Sequence, residues 1–160
     1  HGSGIGNDAY GMSYAKKWAV CTQYIENTDK NLNKCYDWGA FVLKDPIGKK
    51  CGKLNLSSLS DAEIHNANLM TAGYPQYRDS IGTIINYCQY KQQMITSSVT
   101  PNYFTASVDC FSGQSGSPVF INNTVCGIVT ARATSGSYSV YTRINDSAYA
   151  YLMQYAADNA

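Results

Sequence analysis

Short runs of alternating apolar and polar residues, separated by polar turns, predict that most of this chain forms β-strands. After residue 67 these runs recur at regular spacing, and six of them suffice to close a small barrel. Only about two such runs precede residue 46. The predicted strands are residues 17–25, 38–43, 68–74, 81–88, 92–98 or 103–108, 117–122, 124–131 and 137–144, with a tight turn at Asn122 and Asn123.

One substantial helix is predicted at the C-terminal end. Apolar residues recur at helical spacing over residues 148–157, after a capping residue at Asn145. Ser60 and Glu63 form a second capping pattern, which predicts a single helical turn. The sequence therefore divides at an irregular connector into residues 1–55, with too few strands to close a barrel, and residues 56–160, with enough.

The composition favours an all-β globular protein and argues against two classes of partner. Apolar residues make up 44% of the 160 residues, enough for a core, and the net charge of +1 gives no reason to expect a nucleic-acid partner. No apolar run approaches the roughly 18 residues that a membrane-spanning helix needs. Only 14% of the residues are charged while 14 are tyrosines, a balance that suits strands and polar turns.

The cysteine count indicates the compartment. The chain has six cysteines and no C-x-x-C spacing, which favours a disulfide framework over a metal site and predicts a secreted or lumenal protein. Cys21 and Cys35 bracket a polar loop and form one candidate pair among the fifteen possible connectivities. Glycosylation acceptor patterns begin at Asn55, Asn122 and Asn145.

The sequence GQSGSPVF at residues 113–120 is the strongest chemical signal in the chain. It places Ser115 in a glycine-flanked turn directly before an apolar run. A serine nucleophile needs an exposed hydroxyl group and backbone N–H groups that can point at an oxyanion, and flanking glycines permit that geometry. An ordinary surface turn is the alternative interpretation. Ser115 is therefore the candidate nucleophile.

Four further motifs resemble the same protein family as that turn does. They are AGYP at residues 72–75, YDWGA at residues 36–40, CGIV at residues 126–129 and VYTRI at residues 140–144. Together these motifs resemble the chymotrypsin-fold serine proteases, in particular the glutamyl-endopeptidase-like branch, over about residues 10–151. The resemblance implies a double six-stranded β-barrel with a C-terminal helix, in which residues 1–55 are the last part of the first barrel. It also implies a secreted serine endopeptidase that acts on polypeptides without a metal or organic cofactor.

The resemblance assigns roles around the nucleophile. Asp37 matches the carboxylate that orients the catalytic histidine, and Ser115 matches the serine that forms the acyl-enzyme. The backbone N–H groups of Gly113 and Ser115 match the oxyanion hole. Thr130 and Ala131 occupy the positions that pair with the substrate backbone.

Three other positions bear on substrate preference. Asp109 lies six residues before Ser115, where trypsin-like enzymes hold the carboxylate that binds Arg or Lys, although members of this branch also carry an aspartate there that does not face the pocket. Ser139 corresponds to the pocket wall. Val129 stands where glutamate-specific relatives carry a histidine, which weakens the case for an acidic preference.

The catalytic base is missing from its expected place. The chain order in this fold is His, Asp, Ser, so His65 lies on the wrong side of Asp37, and His1 lacks the expected surrounding turn. We therefore expect the histidine on a separate N-terminal light chain, cleaved before His1. Trypsin-like zymogens carry an aspartate at the position of Gln114, and it binds the amino terminus that cleavage frees. Because this chain has Gln114 there, cleavage before His1 need not activate the enzyme in that way. The alternative is a catalytically inactive, protease-like binding module.

Overall fold

The computed structural model describes residues 11–78, 81, 84–85, 89–108, 110–133 and 138–159. The helices there are α1 (Thr22–Glu26), α2 (Gly48–Cys51), α3 (Asp61–Asn66) and α4 (Asp146–Ala157), and a 3₁₀ helix spans Asn33–Cys35. The strands are β1 (Ala15–Val20), β2 (Gly39–Leu43), β3 (Asn55–Leu56), β4 (Leu69–Gly73), β5 (Tyr77–Arg78), β6 (Ile84–Ile85), β7 (Tyr90–Met94), β8 (Thr96–Val99), β9 (Tyr103–Ala106), β10 (Pro118–Ile121), β11 (Thr124–Arg132) and β12 (Ser139–Arg143).

The main sheet curls back on itself. Its strands pair in the order β7-β4-β10-β11-β12-β9-β8, and β3 joins β11 in parallel. The two ends of this path, β7 and β8, are consecutive in the chain and are separated only by Ile95. A single residue can join the two ends only if the sheet is curled. Counting β7 and β8 as one bent strand gives six strands, the number that the sequence predicts. Residues 81–88 were expected among them, but their described part, β6, pairs with β5 in a separate sheet.

The core fills the inside of this curled sheet. The rings of Phe104 and Tyr141 stack there with centroids 5.3 Å apart, and both side chains are fully buried. Gly127 lies against them, since a Cβ atom at Gly127 would fall 2.7 Å from the Phe104 ring. Each fully buried large apolar side chain stabilises the fold by roughly 1.5–3 kcal/mol. The other buried members are Ile64, Leu69, Met94, Ala106, Cys110, Val119, Cys126 and Val129.

The first part of the chain forms only a two-stranded sheet. Strands β1 and β2 pair in antiparallel fashion, with Trp18 opposite Phe41. The two side chains remain 74% and 65% exposed. Isolated two-stranded sheets are at best marginally stable, because they bury too little surface. The predicted all-β architecture, with a first barrel that is incomplete in this chain, is therefore confirmed.

Both predicted capping patterns are confirmed. The Ser60 hydroxyl accepts a hydrogen bond from the Glu63 N–H, and the Glu63 carboxylate accepts one from the Ser60 N–H at 2.7 Å. The Ser60 hydroxyl also donates to the Glu63 carboxylate at 2.7 Å, and this bond together with the one from the Ser60 N–H lowers the pKa of Glu63. The Asn145 side chain caps α4 by accepting from the Ala148 N–H at 2.9 Å. Helix α3 thus begins at the predicted residue, and the C-terminal helix forms as expected.

Several predicted boundaries were wrong. The strand expected at residues 17–25 ends at Val20, because the Tyr24 N–H turns back onto the Cys21 carbonyl and starts α1. The two runs treated as alternatives, 92–98 and 103–108, both contribute strands. Helices α1 and α2 have five and four residues, too few for a helical period to show in the sequence. Most of the strand expected at residues 81–88 lies outside the described residues.

The described cysteines are free thiols. Cys21 and Cys35, the candidate pair, are buried and line one cavity, but no disulfide joins them in this structure. The Cys21 thiol donates instead to Gln23 Oε1 at 3.1 Å. Burial raises the pKa of the Cys35 thiol, although nearby Lys34 partly opposes that shift. Within the described ranges, no helix is long and apolar enough to cross a membrane.

Candidate active site

The turn that carries Ser115 depends on two glycines with positive φ angles. Gly113 has φ +93° and Gly116 has φ +82°, and between them Ser115 is exposed. A Cβ atom on Gly113 would lie 2.8 Å from the Tyr74 carbonyl oxygen. The turn rests on that segment, where the Gln76 N–H donates to the Ser112 carbonyl at 2.6 Å. Glycine is therefore required at residue 113 for both backbone angle and space.

Two N–H groups of this turn are left available. The Gln114 N–H donates to Phe111, and the Gly116 and Ser117 N–H groups donate to Val129 and Gln114, at distances of 2.9–3.1 Å. Within residues 113–117, no acceptor in the described part of the chain occupies the other two N–H groups, which are the predicted oxyanion donors of Gly113 and Ser115. The arrangement can stabilise negative charge that develops beside the Ser115 hydroxyl.

The Gln114 side chain supports the turn from inside. It is fully buried, and its Oε1 accepts a hydrogen bond from the Phe111 N–H at 2.7 Å. Its Nε2 is buried without a partner among the described residues. The sequence indicated only that Gln114 cannot form the zymogen ion pair. Its structural role depends on a folded-back conformation that the sequence pattern does not reveal.

Asp37 lies between the 3₁₀ helix and β2. The neighbouring Trp38 packs against Tyr151 of α4, with the two ring centroids 5.4 Å apart. The Asp37 carboxylate is half-buried, and the loss of solvent raises its pKa. No donor from the described residues bonds to it. A partly desolvated carboxylate without a donor can accept a strong hydrogen bond from a neighbouring N–H group.

Asp37 and Ser115 line the same cleft, which has a volume of about 350 Å³. This is the pairing that the sequence predicts, and the space beside the two residues is open. Neither histidine is placed there by the described structure: His65 is exposed on α3, and His1 lies outside the described residues. Val129, which the sequence predicts at the substrate site, also lines this cleft. The other lining residues, to which the sequence gave no role in the site, are Val20, Tyr24, Trp38, Gly39, Phe41, Gly116 and Ile128.

A second cavity, of about 270 Å³, lies on the other side of Ser115. Three predicted substrate-binding residues, Val129, Thr130 and Ala131, line it together with Cys110, Phe111, Ser112 and Arg132. Ser115 and Val129 line both cavities, so the second can hold a side chain next to a bond under attack. Asp109 lies outside the described residues.

Ser139 lies behind the wall of this cavity. Its side chain is fully buried, its hydroxyl donates to the Val108 carbonyl at 2.6 Å, and it accepts from the Cys110 N–H at 3.0 Å. Both bonding functions of the hydroxyl are therefore used within the protein. Ser139 was predicted to contact substrate at the pocket wall, but here it fixes the backbone on both sides of residue 109.

Comparison with known proteins decides the family. The family model described as Trypsin matches residues 10–151, which is most of the chain. The chain belongs to the trypsin family. No curated protein sequence matches it.

Solved structures agree on a trypsin-family fold. The structure of a Glu endopeptidase in complex with MPD has a TM-score of 0.78 and 18% identity, covering 93% of this chain and 66% of that chain. Two scabies mite inactivated protease paralogues are also similar. S-I1 has a TM-score of 0.67 and 16% identity, covering 92% of this chain and 69% of its own. S-D1 has a TM-score of 0.68 and 15% identity, covering 90% and 68%.

Proposed function

We propose that this chain is the nucleophile-bearing part of a serine endopeptidase that hydrolyses peptide bonds through an acyl-enzyme at Ser115. The observation that carries the proposal is the shared cleft of Asp37 and Ser115, next to the unoccupied N–H groups of Gly113 and Ser115. The Ser115 oxygen would attack the peptide carbonyl while those N–H groups stabilise the oxyanion. Expulsion of the amine and attack by water then complete hydrolysis.

The base in this mechanism is a histidine from polypeptide outside residues 1–160. Serine is a weak nucleophile at neutral pH until a base takes its proton. The cleft of about 350 Å³ between Asp37 and Ser115 has room for an imidazole side chain. We infer that the histidine belongs to a light chain that completes the first barrel. The trypsin family match supports a secreted or lumenal enzyme.

The exposed face of β1 and β2 supports the same partner. Trp18 and Phe41 are paired and largely exposed, and Phe41, Val20 and Tyr24 continue from this face into the Asp37–Ser115 cleft. A polypeptide that covered this face would bury apolar surface and could extend the sheet through its unpaired strand edges. A histidine on that polypeptide would then lie next to the cleft.

The substrate would bind along the end of β11. Strand β10 pairs with β11 only as far as Ile128, so the edge beyond it has no strand partner from β10. An extended peptide can add to such an edge through main-chain hydrogen bonds near Thr130 and Ala131. Its side chain before the cleaved bond would enter the cavity of about 270 Å³ beside Ser115.

Covalent labelling tests the proposal. The product of the complete gene that encodes residues 1–160 should react with a fluorophosphonate at Ser115 and should hydrolyse peptides. Ser115→Ala should abolish labelling and lower turnover about a millionfold if the catalytic residues act as a unit. Mass spectrometry of the digested protein locates the label. Label on another residue, or full activity in the variant, would contradict the proposal.

The second candidate is an inactive, protease-like binding module. Two of the similar structures are inactivated protease paralogues, and the described residues place no histidine in the cleft. The same experiment separates the candidates, because an inactive module would neither label at Ser115 nor turn over peptides. The open oxyanion geometry favours the enzyme, since a binding module has no need to keep two N–H groups unoccupied.

A further inference from the structure

Thr142 contacts both sides of the candidate active site through one buried hydroxyl group. Its side chain on β12 is fully buried, and Oγ1 donates to the Lys34 carbonyl at 2.8 Å. Lys34 lies in the 3₁₀ helix, three residues before Asp37. The same Oγ1 lies 2.5 Å from Oγ1 of Thr130 on the strand predicted to bind substrate. The two hydroxyl groups thus connect segments that are far apart in sequence.

Counting protons fixes the direction of this chain of hydrogen bonds. Each threonine hydroxyl carries one proton, and the Lys34 carbonyl can only accept. The contacts at 2.8 and 2.5 Å can both be hydrogen bonds only if Thr142 donates to Lys34 and Thr130 donates to Thr142. Thr130 then cannot also donate to Ile128, whose carbonyl lies 3.3 Å away. The Thr142 N–H in turn donates to Thr130 Oγ1 at 3.3 Å.

Two other contacts join residues 33–38 to the barrel and to α4, and both are less directional than the hydrogen bond from Thr142. The Lys34 ammonium lies 4.7 Å from the centroid of the Tyr103 ring, and the Trp38 and Tyr151 rings meet at 5.4 Å with their planes tilted. Ring contacts of these kinds tolerate sliding, whereas a hydrogen bond requires a narrow range of distance and angle. The Thr142 bond holds a main-chain atom and so constrains the path of the backbone that leads to Asp37.

We propose that Thr142 is a positioning residue, whose hydroxyl group fixes the Asp37 segment against the substrate strand and so aligns the Asp37 carboxylate with Ser115. This inference rests on the proposed function, since alignment matters only if the two residues act together. A misplacement of about 1 Å caused by a distant substitution can lower a rate on the order of a hundredfold. Thr142 lines neither of the two cavities beside Ser115, so its effect passes through Asp37.

The test uses the complete gene product and three variants. Thr142→Val keeps the side-chain shape but removes the hydroxyl, and Thr142→Ser keeps the hydroxyl. Thr96→Val is the matched control, because Thr96 is also buried and donates to a carbonyl, that of Ile64, at 3.1 Å. The measurements are kcat and KM on a peptide substrate, Ser115 labelling, and hydrogen exchange of the amides at residues 35–38.

We expect Thr142→Val to lower kcat ten- to a hundredfold with little change in KM, and to speed exchange at residues 35–38. Thr142→Ser should restore both values, and Thr96→Val should change neither. An unchanged kcat in Thr142→Val, an equal loss in Thr96→Val, or no rescue by serine would overturn the inference. If the unsubstituted protein fails to label at Ser115, the proposed function fails instead, and the exchange rates still report whether Thr142 holds the segment.

Discussion

Replacing Gly113 with alanine should distort the turn that carries Ser115. The added Cβ atom would lie 2.8 Å from the Tyr74 carbonyl oxygen and 3.1 Å from the Gln76 nitrogen, both of them main-chain atoms. Gln76 cannot easily yield, because its N–H donates to the Ser112 carbonyl at 2.6 Å. The turn itself must therefore move, and the Gly113 N–H moves with it.

The size of the effect follows from two separate costs. A positive φ costs an L-residue roughly 1–2 kcal/mol, which is partly offset by about 0.4–1 kcal/mol from the stiffer unfolded chain. The steric conflict adds to the net loss of stability at Gly113, where φ is +93°. Loss of one oxyanion donor lowers turnover on the order of a hundred- to a thousandfold. Gly113→Ala should therefore lose activity beyond what its lower stability explains.

Gly52→Ala provides the control. Gly52 has φ +81°, but no atom lies within 4 Å of its added Cβ, and it follows α2 outside the active-site cleft. Urea unfolding of both variants measures stability, and the rate of Ser115 phosphonylation measures the site. Gly52→Ala should lose a little stability and keep the labelling rate. A Gly113→Ala protein that labels as fast as the unsubstituted protein would refute the oxyanion assignment.

Three further predictions test the other parts of the site. Asp37→Asn should lower turnover about ten-thousandfold. Because burial raises the Asp37 pKa above its ordinary 3.8, the unsubstituted protein without a bound histidine should lose stability as pH rises from 3.8 through the raised value, and Asp37→Asn should remove that loss in urea titrations. If Asp109 faces the pocket, peptide-library profiling should show a preference for Arg or Lys that Asp109→Ser removes; a preference for acidic or large apolar residues would make Asp109 structural. Trp18→Lys should reduce co-purification of the histidine-bearing polypeptide, whereas Ile95→Lys, at a residue that is 72% exposed on the barrel, should not; equal effects would contradict the docking face.

Local patterns predicted the parts of the fold that local physics determines. Alternation of apolar residues located the barrel strands, because side chains on a strand alternate between the core and the outside. The Ser60 cap began α3 because its bonds close within three residues. The glycines around Ser115 indicated a turn with positive φ angles, and Gly113 and Gly116 adopt them. Each of these features needs only a few neighbouring residues.

Contacts between distant segments could not be predicted in the same way. Ser139 bonds to Val108 and Cys110 about thirty residues away, and Thr142 bonds to Lys34 across 108 residues. A buried threonine or serine in a strand has the same local pattern whether its hydroxyl supports a pocket wall or contacts substrate. Its role depends on which strands become neighbours, and that depends on the whole sheet.

The two unmet requirements in the cleft restrict the chemistry of the group that would fill it. The Asp37 carboxylate needs a donor, and the Ser115 hydroxyl needs an acceptor that can take its proton near neutral pH. Lysine only donates when charged, and an ionised glutamate only accepts. Asparagine and glutamine donate and accept but do not become protonated at neutral pH. A neutral imidazole donates from one nitrogen, accepts at the other, and has a pKa near 6.5. Of the common side chains, histidine best satisfies both residues at once, so the cleft itself supports the inferred identity of the missing base.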